Sequence, residues 1–307
     1  SMDRLFAQSL TDQAIDEEDI LQYADYCEWA YELCQQEGSA DGNVYWQKQC
    51  WQDSASFRLP WDHSNTGNNG RSRQSSVISQ SVATKLTTMA NEWGCAVEDI
   101  FLTAWQSLLY KISDINSVVT EVRNHGRNID ELAETIGLYA GYLPIWQTFS
   151  SDTVVKEAVV RCFEARETAL TWFEYFDGFR TEQEKGNSEL RYAFSFFSEM
   201  SCSTDSLKGY RIGVSERSGH YHLEMAVEQV GQGFTLKLDV DQRYYRSDNA
   251  LLVLEQFIQL LEQLVAATDS SLSELDCVSE RQKQLILKEF NPAPQSATEF
   301  MSVVKLF

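Results

Sequence analysis

Residues 97–112 read VEDIFLTAWQSLLYKI, and the spacing of their apolar members decides how the chain folds. Val97, Ile100, Phe101, Ala104, Trp105, Leu108, Leu109 and Ile112 fall at offsets 0, 3, 4, 7, 8, 11, 12 and 15, the period of a helix that buries one face. Upstream, Gly94 stops a helix over 83–93, and 77–82 before it reads as a strand. Downstream come strands at 117–122 and 143–149, a long helix from about 153 to 176, and strand-like runs at 190–197, 210–216, 221–228 and 234–241. A closing helix over 247–267 and a short one at 279–288 follow, then Asn291-Pro292-Ala293-Pro294 as a boundary. Toward the other end, a helix at 19–37 stops before Gly38 and a second is expected at 44–51. The polar run 53–76 has no periodicity and reads as a surface loop or linker. Helices mixed with late hairpin-like strands define an α+β chain, a layered mixed sheet with helices packed on it.

Composition narrows the function. Of 307 residues, 43% are hydrophobic, enough for a substantial core, and 46 acidic against 25 basic residues give a formal net charge of -21. With no Lys/Arg cluster to track phosphates, nucleic acid is not an expected ligand. The first 30 residues carry eight acids against one base, Arg4, the opposite of a signal or transit peptide. The longest apolar stretches, 101–109 and 251–267, are interrupted by Gln or Glu, so no membrane span is expected. The cysteines, Cys27, Cys34, Cys50, Cys95, Cys162, Cys202 and Cys277, are odd in number and contain no CxxC pair. That argues against a disulfide framework and a structural zinc site, suits a reducing cytoplasm, and leaves each thiol as a small buried hydrophobe.

No GxSxG, HExxH, P-loop or GxGxxG is present. His220 and His222, two apart on a strand, share a face, a spacing that can hold a metal, but no third ligand accompanies them. His63 lies in the polar loop. His125, in the run Arg123-Asn124-His125-Gly126-Arg127 just past a strand, is the better site candidate, against the plainer reading of a solvated loop histidine. Two aromatic groups, Tyr45, Trp46, Trp51 and Trp61 in one and Trp172, Phe173, Tyr175 and Phe176 in the other, read as core rather than as a ligand platform.

Several segments resemble, in order, the condensation domain of non-ribosomal peptide synthetases. Gln22-Tyr23-Ala24-Asp25-Tyr26, with Trp29 and then Tyr45-Trp46, is similar to the family's QYADYxxW segment and the YW pair after it. Arg127 with Glu131-Leu132, Ile136-Gly137-Leu138-Tyr139 and Leu143-Pro144 resembles NRxRPEL followed by IGxFVNTLPLR. The strand pair at 221–241, Tyr244-Tyr245, the helix to Ala267, Leu272-Ser273-Glu274-Leu275 and Glu280-Arg281 follow the order of the family's last lobe. Phe290-Asn291 before Pro292 is similar to the junction into an adenylation domain, whose first helix would be 302–307.

The resemblance implies two lobes, each like chloramphenicol acetyltransferase, with a tunnel between them. There an acceptor amine attacks a donor thioester, both carried on the phosphopantetheine arms of partner carrier proteins. The family's catalytic HHxxxDG lies in the first lobe before the QYADY segment, and no such run stands in this sequence. The implied layout is the tail of the first lobe and a linker at 1–75, a second lobe at 76–290, and a junction to an adenylation domain at 291–307. Such a chain is either a piece of a longer synthetase or a natural partial domain, and Ser1-Met2 reads as a cloning remnant.

It is expected to supply half of the amide-forming tunnel in the cytoplasm, with no catalytic residue, metal or cofactor of its own. Its implied partners are the adjacent adenylation domain, carrier proteins and the first lobe. Alternatives are a non-catalytic structural platform for the adenylation domain, and a complete acyltransferase with His125 as base, though one lobe cannot close a tunnel around a base.

Arg127, His125, Gly141 and Tyr142 are the candidates to face the tunnel or the first lobe. Gly141 and Tyr142 stand where the family has Asn and Thr, Trp172-Phe173-Glu174 matches QDxPFE only loosely, and Arg243 replaces the acidic residue before the family's LF pair. Arg127 matches the arginine that pairs with the motif aspartate. Without that aspartate it is expected to be solvated or bound to another acid. An uncovered interlobe face would also promote self-association, unless the net charge prevents it.

Overall fold

The computed structural model describes residues 21–35, 40–49, 57–60, 70–113, 115–133, 135–176, 191–198 and 221–288. Strands β1 Arg71–Val77, β2 Ser117–Asn124, β3 Gly141–Thr148, β4 Tyr192–Phe197, β5 Leu223–Val230 and β6 Gly233–Asp241 form one sheet in the order β1-β6-β5-β4-β2-β3. β4 lies parallel to β2 and to β5, and the other three pairings are antiparallel. Helices are α1 Tyr23–Gln35, α2 Ala40–Lys48, α3 Gln80–Trp93, α4 Val97–Ser113, α5 Val155–Thr171, α6 Ser247–Ala266 and α7 Glu280–Lys288. α3 rests on β6, α4 on β2 and β4, α5 on β3, and α6 on β1 and β6, all sharing one core with the strands. Among the described residues no helix is long and apolar enough to cross a membrane.

α4 is buried more completely than its one-faced spacing predicts: residues 99–109 are all buried, because α3, α5 and α6 surround it above the sheet. Of its buried polar side chains, Gln106 bonds inward. Gln106 donates to the Ile145 carbonyl at 2.9 Å and accepts from the Gln147 amide at 2.8 Å.

The polar run read as a loop over 53–76 ends in a strand, since β1 begins at Arg71. Its sequence, RSRQSSV, has no apolar alternation, and what makes it a strand is the free edge of β6, which it pairs from Arg71↔Asp241 to Val77↔Thr235. A polar edge strand protects a sheet from further pairing. The strand expected at 77–82 is a correction of the same kind. Val77 closes β1, and Ser79 caps α3 by accepting the Val82 N–H at 3.4 Å, while Val82, Ala83, Leu86, Met89 and Ala90 form its buried face. Gly94, with φ 67°, ends that helix as expected. The second helix begins at Ala40, earlier than the expected 44.

The reading of the cysteines as buried hydrophobes holds for Cys162 and fails for Cys27, which is exposed; Cys34, Cys95 and Cys277 are half-buried. The expected strand at 210–216, His63, His220, Cys50, Cys202, Trp51, Trp61 and residues 289–307 lie outside the described residues.

Candidate functional site

Parallel β2 and β4 finish side by side, and β3 starts beside the end of β2, with Gly141 opposite Asn124. A cleft of about 570 Å³ opens at these carboxyl ends, where loops rather than ladder partners surround a ligand. Its lining includes Glu98 and Arg166, Arg123, Asn124, His125 and Arg127 from the end of β2 onward, Leu138 and Tyr139, and Leu143, Leu170, Phe196 and Phe197.

The rim is set by a turn that only glycine fits. Gly126 has φ 69°, and a Cβ there would stand 1.7 Å from the Tyr139 carbonyl oxygen. The turn lets His125 Nδ1 accept the backbone N–H of Arg127 at 2.9 Å, so that nitrogen carries no proton. Burial of the ring, with the charges of Arg127 and Arg123, holds the imidazole below its ordinary pKa.

Arg127 is half-buried, and among the described residues it bonds uncharged acceptors rather than an acid. Its guanidinium donates to the Leu132 carbonyl and to Thr135 Oγ1 at 3.2 Å, and lies 4.5 Å above the Tyr139 ring. The short helical turn at Asp130–Leu132 brings those acceptors back to it, which corrects the expectation from sequence.

Tyr139 is in turn held edge-on by Tyr23 at 5.2 Å and Tyr26 at 5.0 Å, and Tyr23 donates to the Leu138 carbonyl at 3.0 Å. The segment that resembles QYADYxxW and the one that resembles IGxFV therefore meet at this rim. The aromatic groups meet as well, with Trp46 Nε1 donating to the Trp172 carbonyl at 2.8 Å and its ring 4.6 Å from Phe176. Their described members form a half-buried seam beside the main core.

At the inner wall, Glu98 of the lining and its neighbour Asp99 form an acidic pair that the sequence did not single out. Asp99, fully buried, accepts from Arg166 Nε at 2.6 Å and Nη2 at 3.3 Å, and also accepts the Ala96 N–H. Next to it, burial pushes the Glu98 carboxyl up to about 7; Arg166, at 4.0 Å, opposes the shift, and Asp99 and Glu167 add to it. Arg123, whose guanidinium lies 4.8 Å over Phe197, completes the charged lining. The signal for Asp99 and Glu98 was their place in the first turn of α4, but nothing local links them to Arg166 on α5.

Of the four sequence candidates, the structure brings His125 and Arg127 together and leaves Gly141 and Tyr142 outside the cleft lining. Tyr142 donates to Glu224 Oε1 at 3.3 Å, which Ser195 Oγ also approaches at 2.7 Å, and burial raises the pKa of that carboxyl. Gly141 sits where a Cβ would come within 3.1 Å of the Phe173 ring. His222 is buried and stacked on Tyr244 at 3.5 Å, its pKa lowered to about 3 by burial and then by Arg191. Among the described residues no group of three or more His, Cys, Asp or Glu is placed to hold a metal.

The family model described as Condensation domain matches residues 2–287, so the chain belongs to the condensation-domain family, whose general role is amide-bond formation. A linear gramicidin synthase of Brevibacillus parabrevis is 22% identical over 302 residues, covering 94% of this chain and 6% of that protein. The chain thus spans about 6% of the length of this curated relative. The condensation domain from the monacolin K polyketide synthase MokA superposes with a TM-score of 0.71 at 16% identity, over 88% of this chain and 67% of that one. The X-domain of teicoplanin biosynthesis, in complex with OxyB, gives 0.69 at 17% identity, over 87% of this chain and 63% of that chain. The α+β fold is the chloramphenicol-acetyltransferase-like one expected from sequence.

Proposed function

We propose that the chain is the larger part of a non-ribosomal peptide synthetase condensation domain and supplies one wall of the tunnel in which an amide bond forms between carrier-bound thioesters. The observation that carries this is the meeting, across 115 residues of sequence, of the Tyr23 segment and the Leu138 segment at the rim where Arg127 is fixed. In this reading the second lobe starts at β1 rather than at 76, because β1 is an integral strand of the sheet. Arg127 and His125 face the first lobe, and exposed Ile136 and Leu138 are apolar surface that such a lobe would cover. Gly141 and Tyr142 act behind them by packing and through Glu224. The phosphopantetheine arms of carrier proteins enter from outside, an adenylation domain follows residue 290, and the assembly works in the cytoplasm. With no HHxxxDG in its sequence, the chain is not catalytic by itself.

A second reading, a platform for the neighbouring domain, is favoured by one finding: the same fold in the X-domain is found holding a protein partner. One experiment separates them. The chain is mixed with a first lobe carrying HHxxxDG and two loaded carrier proteins, and dipeptidyl thioester is measured by mass. Product only when the lobe is added is the expected result. Product from the chain alone, lost in His125→Ala, would instead establish a complete acyltransferase, and no product with the lobe bound would favour the platform.

A further inference from the structure

β3 is the last strand of the sheet, and its consecutive residues Pro144 to Thr148 line a second groove, of about 440 Å³. Successive strand side chains point to opposite faces, so a space that touches all of them runs along the edge and not over one face. Tyr45 of α2 and Arg161 and Glu164 of α5 stand in its walls. The edge is open in a defined register. Phe149 N–H donates to the Asn116 carbonyl at 2.7 Å, and the alternation of an antiparallel pair then turns the main-chain groups of Gln147 and Ile145 toward β2 and those of Thr148 and Trp146 outward. Pro144 falls in the outward set, where its missing N–H costs the ladder nothing. Trp146 and Thr148 thus present their N–H and C=O groups to no partner strand. Beside them Arg161 and Glu164, one helical turn apart, are exposed, and among the described residues neither side chain is hydrogen-bonded or ion-paired.

We propose that this groove takes an extended peptide segment of a partner protein, added antiparallel to β3 through Trp146 and Thr148. Main-chain bonds give such a strand its affinity, and alternate side chains give it specificity. Residues paired with Trp146 and Thr148 share their face, so the residues between them turn toward α5, which packs on the side where Ile145 enters the core. Arg161 and Glu164 therefore select a strand with an acid and a base two residues apart. A second copy of the chain is a poorer occupant, since it would bring its own α2 and α5 to the same edge together with a further net charge of -21. The groove occupies the half of β3 away from the rim where Gly141 meets Asn124, and the assignment rests on no part of the condensation reading.

Fluorescence anisotropy of two dye-labelled peptides on the full chain, Thr-Glu-Val-Lys-Val-Thr and Thr-Lys-Val-Glu-Val-Thr, tests it. One order should bind about threefold or more tightly than the other, the value of exposed charge pairs, and the double exchange Arg161→Glu with Glu164→Arg should reverse the preference. N-methylation of both valines, whose N–H groups point at β3, should weaken binding about tenfold or more, and N-methylation of the glutamate and lysine should change it by less than about twofold. Adding a first lobe should leave binding unchanged. No binding of either order at about 1 mM peptide, equal losses from the two methylation patterns, an unreversed preference in the folded double variant, or loss of binding to the added lobe would each overturn the proposal. A dimer of the chain that the peptide dissolves would also overturn it, by giving the edge to a second copy.

Discussion

Two arginine–aspartate forks of nearly the same geometry lie at opposite ends of the sheet. On the outer edge, Arg73 of β1 grips Asp239 of β6 with Nε at 2.9 Å and Nη2 at 2.7 Å. At the cleft, Arg166 grips Asp99 at 2.6 and 3.3 Å. The side chains of the first pair are 47% and 10% exposed, those of the second 13% and 0%. Geometry is shared, but the solvent is not. In the edge pair water already stabilises the arginine, so the fork chiefly fixes register between two polar strands. In the cleft pair Asp99 depends on Arg166, because no water replaces it, while Arg166 keeps only the more exposed Glu167 and Glu98 beside it.

Removing one member of the buried fork should have the largest effect. Asp99→Ala takes from Arg166 its one fully buried partner, leaves it only Glu167 at 3.3 Å and Glu98 at 4.0 Å, frees the Ala96 N–H, and should cost about 3 kcal/mol, read from the urea midpoint. A loss below about 1 kcal/mol would mean that water reaches Arg166 after all.

Glu98 gives the next effect, and one with a sign in pH. Its folded pKa, about 7, lies above that of an unfolded glutamate, so the folded chain holds a proton that the unfolded chain has released. Stability from this group is therefore greatest below about pH 4 and declines as pH rises toward 7. Glu98→Gln should be more stable than the parent by on the order of 2 kcal/mol at pH 8 and nearly equal to it at pH 4. Parallel denaturation curves at the two pH values check this, and a constant difference would show that Glu98 is not the titrating group.

The smallest pair of effects compares two arginines outside the buried fork. Arg127→Ala should cost about 1–2 kcal/mol through its loop bonds, whereas Arg73→Ala should cost less than about 1 kcal/mol. The thermal midpoints should fall in that order, and a reversal would make the edge fork the more important one.

The same contrast explains how much could be read in advance. α4 was legible because its apolar period is local, and Gly94 because a helix stop is a property of one residue. β1 was not, because RSRQSSV becomes a strand only beside β6, some 160 residues later, and a polar edge strand carries no alternation of its own. In the cleft, His125 and Arg127 stood out through the resemblance and through their neighbour Gly126. Arg166 and Arg123 did not, since only the tertiary fold puts helix α5 and the end of β2 around one space. The expectation that Arg127 would be solvated or bound to another acid missed a partner eight residues away, Thr135, whose approach depends on a short turn that apolar spacing does not register.

The strand order also governs the time course of folding. β1 is made before every other strand of this sheet, yet Arg71 finds its partner only at Asp241, after β2 to β5 have been threaded between them in sequence. Loop closure over that distance comes last, so the sheet cannot be sealed at this edge until β6 has left the ribosome. Until then the β1 segment has no ladder partner and travels as a polar tether, a state in which serines and arginines are safer from aggregation than the valines and isoleucines of an ordinary strand. The composition that hid this strand from view is thus the one suited to a strand that must wait.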